Sequence, residues 1–145
     1  MGLRDRLRGK RVYFDANVFI YLVEGYKAFQ HQIDEIAECI RLGEADIFTS
    51  ELTLCEVLVL PFRQRDTGLI ARYRQLIEGS QAFGLLTTQR ETYVRASLYR
   101  AEWRMKTPDA VHMASAIEAG CTVFITADRG IKGPRGVEIV QLEVE

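Results

Sequence analysis

The sequence predicts an α/β fold, a three-layer α/β/α sandwich around a mostly parallel central sheet of four to five strands. Three observations carry that expectation. Short β-branched and aromatic runs alternate with segments whose apolar residues recur at helical spacing, and strands separated by helices pair in parallel beneath helices on both faces. At 145 residues and 48% hydrophobic, the chain suits one domain with one sizeable core. No internal repeat, linker or low-complexity stretch divides it, so residues 1–145 read as a single domain preceded by a basic arm over 1–10.

The elements follow in order. Arg11 to Phe14 reads as a strand, with a short apolar helix after it from about Asn17 to Glu24. Phe29, Ile33, Ile36, Ala37 and Ile40 recur at helical spacing and stop at Gly43. Asp46 to Thr49 is the second strand, and Ser50 caps a helix expected to end at Pro61. Leu69, Ile70, Tyr73, Leu76 and Ile77 mark a helix closed by Gly79, and Phe83 to Thr87 is a third strand. Val94, Leu98, Ala101 and Met105 form the apolar stripe expected of a long helix. Thr107 as N-cap and Pro108 in the first turn restart a helix that runs to Gly120. Thr122 to Thr126 is the clearest strand, and Val137 to Leu142 adds a last one.

Bulk properties narrow the function class. No apolar run approaches the roughly 20 residues that span a bilayer, and the charged N-terminus lacks the apolar stretch of a secretory signal. Cys39, Cys55 and Cys121 are odd in number, lack C-x-x-C spacing and fall in apolar segments, which predicts buried, reduced thiols in a cytoplasmic protein. The net charge of −1 gives no global basic footprint for nucleic acid.

Four carboxylates interrupt apolar surroundings: Asp15 after the first strand, Glu56 within Leu52–Leu60, Asp109 opening Asp109-Ala-Val-His-Met-Ala, and Asp128 just past Thr126. An ionised carboxylate is costly to bury unless it is paired, hydrogen-bonded or bound to a metal. Hard divalent cations take oxygen ligands and need such a converging set. With these four set aside the net charge becomes +3, so an acidic site would sit on a mildly basic body. Sites in open parallel sheets form at the carboxyl ends of the strands, where Asp15 and Asp128 both lie. Each residue has a plainer explanation: Asp128 as a turn aspartate, Asp109 at a helix N-terminus, Asp15 as a cap. Glu56 is the hardest to explain that way, because its helix is apolar nearly all round and no basic residue lies three or four positions away. Jointly, the plain explanations are a coincidence.

The runs around these residues resemble the PIN-domain ribonucleases. Val-Tyr-Phe-Asp15-Ala-Asn17-Val-Phe-Ile is similar to the family's first motif and Ser50-Glu-Leu-Thr53-Leu-Cys-Glu56-Val-Leu to its second. Thr107-Pro-Asp109-Ala-Val-His-Met-Ala-Ser-Ala resembles the third and Phe-Ile-Thr126-Ala-Asp128-Arg-Gly-Ile the fourth, with Ala127 where the family often has Asn. The acidic residues are separated by 41, 53 and 19 positions, in the family's order. A free-standing domain of this length most resembles the VapC-type toxins of toxin–antitoxin pairs.

The resemblance implies a Mg²⁺- or Mn²⁺-dependent endoribonuclease in which Asp15, Glu56, Asp109 and Asp128 hold the metal directly or through water. It further implies an RNA substrate, products with 5′-phosphate and 3′-hydroxyl ends, a homodimer, and a small antitoxin whose C-terminal segment covers the acidic groove. Asn17, Thr53, Thr107 and Thr126 are candidates to orient carboxylates or waters, although for Thr107 capping is the better account. Arg129, Lys132 and Arg135 flank Asp128 in a Gly-rich loop and are candidates to grip RNA phosphates, with a solvated loop as the equal alternative. His112 lies one turn from Asp109, where a lone helix histidine is more often packing than catalysis. Rival classes fit less well. A phosphoaspartate hydrolase of the haloacid dehalogenase type expects Asp-x-Asp where this chain has Asp15-Ala-Asn17, and a response-regulator receiver expects an aspartate ending the third strand. A PIN scaffold that binds RNA or protein without cleaving has no need of all four acidic positions.

Overall fold

β1 (Arg11–Phe14) is the middle strand of a five-stranded sheet in a computed structural model that describes residues 2–144. The order is β3-β2-β1-β4-β5, with β2 at Asp46–Ser50, β3 at Gly84–Leu86, β4 at Val123–Thr126 and β5 at Glu138–Gln141. Every neighbouring pair is parallel, and Tyr13 stands between Phe48 of β2 and Phe124 of β4. The strand alternation of β1 sorts the core into two layers. Val12 and Phe14 join one layer with residues of α1 (Leu3–Leu7), α2 (Ala16–Glu24), α3 (Gln30–Arg41) and α4 (Glu51–Val57). Tyr13 joins the other, with Ala96 and Tyr99 of α7 (Arg90–Trp103) and Ala110, Met113 and Ala114 of α8 (Thr107–Glu118). The three-layer sandwich is therefore as the sequence predicts.

Between α4 and α7 lie α5 (Val59–Arg63) and α6 (Thr67–Arg74), the latter running into a π-helical turn at Gln75–Gly79. The helix expected to run from Ser50 to Pro61 breaks earlier, after Val57. Pro61 explains the break, because its ring collides with the carbonyl four residues back in a continuous helix, here that of Val57. At the third residue of α5 its missing N–H goes unnoticed.

Within the basic N-terminal segment, α1 buries Leu3 and Leu7. Burying a leucine contributes about 1.5–3 kcal/mol, which holds a five-residue helix that would not persist alone. Three further details depart from the sequence expectations. The stripe expected of α7 is reversed: Val94 and Leu98 are 55% and 51% exposed, while Thr92, Ala96 and Tyr99 face the core. That helix ends at Trp103, where Arg104 turns left-handed and sends the buried Met105 into the core from outside it. Lys106, not Thr107, is the N-cap residue of α8. Cys39 and Cys121 are buried as expected, but Cys55 is exposed. Among the described residues no helix is long and apolar enough to cross a membrane.

Candidate catalytic site

The chain lays β1, β2 and β3 outward in one direction, then crosses to place β4 and β5 on the other side of β1. The carboxyl ends of β1 and β4 therefore flank the point where the strand order reverses, where a crevice opens in a sheet of this kind. Asp15 directly follows β1 and caps α2, its Oδ1 accepting the Ala16 N–H at 2.8 Å. The Thr126 hydroxyl, at the end of β4, donates to Asp15 Oδ2 at 2.6 Å and accepts the Asp128 N–H at 2.9 Å. Asn17 completes the stitching, its amide donating at 3.4 Å to Asp15 Oδ2 and its Oδ1 accepting the Ala127 N–H at 3.1 Å. Asn17 and Thr126 thus hold the two strand ends together around Asp15, which is only 5% exposed.

Asp109 approaches from the first turn of α8 and Glu56 from the end of α4. Charge links them to the strand-end pair. Asp109 is pushed up from 3.8 to about 6, first by burial and then by the negative charges of Asp128 and Asp15, with Glu56 adding and His112 opposing. Asp15 is also raised, by burial first; His112, the Thr126 hydroxyl and the Ala16 N–H oppose the rise and Glu56 reinforces it. All four acidic side chains consequently bear on one region. Asp128 is exposed and shapes its own turn, Oδ1 accepting the Gly130 N–H at 2.8 Å, so the plain account of that residue holds as well.

The other candidates divide. Thr53 is buried, its hydroxyl 2.6 Å from that of Thr49, which donates to the Phe14 carbonyl at 3.0 Å. Thr107 is exposed at the start of α8. Arg129, Lys132 and Arg135 are all exposed in the loop between β4 and β5.

A buried polar chain lies beneath the carboxylates, and the sequence reading passed over it. The Tyr13 hydroxyl lies 2.9 Å from Ser50 Oγ and 2.6 Å from His112 Nδ1, and His112 Nε2 is bonded to Glu56 Oε1. The same Nε2 stands 3.7 Å from Asp15 Oδ1. Tyr13 and His112 are both fully buried, and the Tyr13 ring stacks on Phe124 with centroids 5.2 Å apart. The available signal was a tyrosine and a histidine inside apolar runs, each needing a polar partner once buried.

The donor chemistry suits a hard divalent cation, since a positive ion would relieve the negative charge that helps to raise Asp109 and Asp15. The side chains do not yet close around one point. Among the described residues no set of three or more His, Cys, Asp or Glu side chains is arranged to hold a metal. Glu56 is turned to His112 and Asp128 to its own turn.

The family profile of the PIN domain matches residues 12–135. No curated protein sequence matches the chain. Among solved structures, a toxin–antitoxin complex from Klebsiella pneumoniae aligns with TM-score 0.68 and 21% identity, over 92% of this chain and 99% of that one. VapBC2 from Rickettsia felis, bound to a DNA fragment from its promoter, gives 0.70 and 9% over the same shares. VapC20 of Mycobacterium tuberculosis, a sarcin–ricin loop cleaving toxin, gives 0.64 and 13% over 78% and 86%. At these identities the likeness is one of fold.

Proposed function

This chain belongs to the PIN domain family, and from that premise we propose that it is a Mg²⁺- or Mn²⁺-dependent endoribonuclease, the toxin of a type II toxin–antitoxin pair. The observation that carries the reading is Asp109, raised to about 6 by burial and then by the charges of Asp128, Asp15 and Glu56, which supports a shared acidic site at the carboxyl edge of β1 and β4. Such a set of oxygen donors would hold one or two cations. Bound there, a divalent ion supplies an activated water and offsets charge on the phosphate and the leaving oxygen. Asp15 is fixed for the task by Thr126, Asn17 and the first turn of α2. Asp109 and Asp128 remain accessible from the rim, where Arg129, Lys132 and Arg135 would grip flanking phosphates.

Fold relatives support the biological setting: several are toxins in complex with their antitoxins, and one cleaves the sarcin–ricin loop. By that analogy the chain forms a homodimer and is silenced by a small antitoxin whose terminal segment covers the acidic edge. The substrate is RNA, cut to leave 5′-phosphate and 3′-hydroxyl ends.

The test compares purified wild type, Asp15→Asn and Asp109→Asn on structured RNA with Mg²⁺, Mn²⁺ or EDTA. Wild type should cleave only with metal, and each substitution should lower the rate by about 100-fold or more. Cleavage that survives EDTA or both substitutions would sink the metal-nuclease reading. Tight RNA binding without cleavage by any form would mark a binding scaffold instead.

A further inference from the structure

We propose that His112 is a positioning residue that sets Glu56 beside Asp15, with Tyr13 and Ser50 fixing the imidazole behind it; this rests on the reading that the carboxylates hold a divalent cation. Three of the elements that bring carboxylates to the site each contribute a member of the buried chain. β1 carries Tyr13 two residues before Asp15, on the same side of the strand. α8 carries His112 three residues after Asp109, on the same face of the helix. α4 carries Glu56 and is preceded by Ser50 at its N-cap, where the Ser50 hydroxyl makes no capping bond and meets Tyr13 instead. The chain Ser50–Tyr13–His112–Glu56 therefore ties together the relative placement of the three elements.

Proton bookkeeping gives it a direction. A neutral imidazole has one N–H, and an ionised carboxylate can only accept, so the bond to Glu56 requires the hydrogen on Nε2. Nδ1 faces the Tyr13 hydroxyl at 2.6 Å, and that hydroxyl in turn donates to Ser50 Oγ at 2.9 Å. Tyr13 and Ser50 thus fix the orientation of the ring that faces the carboxylates. His112 is wholly buried while the Glu56 side chain is 33% exposed, so the anchor is rigid and the anchored group is not. Oε1 is tethered, and Oε2 is left for a ligand.

Mn²⁺ affinity, read by the loss of the free-ion EPR signal on titration, separates positioning from packing. The variants are His112→Leu, His112→Gln, Tyr13→Phe and Glu56→Gln, with the first and third also combined with Glu56→Gln, each checked by thermal melting. His112→Leu should weaken binding by about 10- to 100-fold, as loss of an orienting partner does. His112→Gln, whose amide can still donate to Glu56, should recover most of that loss. In the Glu56→Gln background neither His112→Leu nor Tyr13→Phe should weaken binding further, since the group they orient is no longer a carboxylate. Losses that multiply in the double variants, or a His112→Gln as weak as His112→Leu at native melting temperature, overturn the proposal. If His112→Leu fails to fold, the Tyr13→Phe pair decides by the same criterion. Wild type that binds no Mn²⁺ overturns the cation reading and the proposal together. Wild-type binding matched by His112→Leu overturns the role of His112 alone.

Discussion

Replacing Asp109 by asparagine should stabilise the metal-free protein while removing its activity. Its carboxyl is lifted from 3.8 to about 6 in the folded state. That difference corresponds to about 3 kcal/mol in favour of the neutral form, at about 1.4 kcal/mol per pH unit. Solvent reaches the group, so about 1–2 kcal/mol is the expected share in practice. A folded pKa above the unfolded one means that stability is fully present below about pH 4 and drains away as pH rises through about 6. At pH 8 wild type carries the whole repulsion from Asp128 and Asp15, whereas the amide of the Asp109→Asn variant cannot ionise. For a domain of this size the difference amounts to about 3–6 °C in melting temperature. Thermal melts in EDTA from about pH 3.5 to 8 provide the measurement, with Asp109→Asn above wild type at pH 8 and nearly level with it at the acid end. Mn²⁺ at about a hundred times its Kd should add about 2.7 kcal/mol to wild type and less to the variant, reversing the order. Equal melting temperatures at pH 8 in EDTA, or a gap that does not change with pH, would refute the burial of Asp109 among like charges on which the site rests.

Two other outcomes follow from the same geometry. Thr126→Val removes the donor to Asp15 Oδ2 and the acceptor of the Asp128 N–H at nearly constant volume. It should lower stability by about 1–3 kcal/mol and Mn²⁺ affinity by about 10-fold or more, and native values in both melting and titration would show that Thr126 orients nothing. In the native protein a thiol reagent at pH 8 should label Cys55 quickly, and Cys39 and Cys121 only after denaturation, because burial pushes Cys39 up and Cys121 to about 12. Three equally fast thiols by mass spectrometry would contradict the packing of α3 and of the segment before β4.

The strands were legible because their signals are local. Arg11–Phe14, Asp46–Ser50 and Val123–Thr126 are short β-rich runs between clear helix signals, and each fell within one residue of its expected bounds. Asp15 and Asp128 could be placed at one edge because a parallel sheet sends its strand ends the same way. The face that α7 buries was not legible. That helix has apolar residues on both sides, and close packing on α8 selects the side with Ala96 and Tyr99, leaving Val94 and Leu98 outside. Thr53 matches a motif position, yet its hydroxyl is turned to Thr49, a pairing fixed by how α4 leaves β2. Asn17 counted against a second catalytic aspartate in the sequence; in the fold its amide binds Asp15 and its carbonyl the Ala127 N–H.

By itself the sequence determined the α/β class and the order of strands and helices along the chain, and it singled out the four acidic residues as candidates. Those properties depend on periodicity, caps and residue chemistry, which act over a few positions. Only the tertiary structure decided that His112 faces Glu56 and Asp15, that Tyr13 and Ser50 stand behind it, and that Asp109 feels the charge of Asp128. Such contacts join residues 19 positions apart, as Asp109 and Asp128 are, up to 99, as Tyr13 and His112 are, and their existence depends on how whole helices seat on the sheet. A histidine in an apolar run can be mere packing or the anchor of a carboxylate, and the difference lies in its partners across the core.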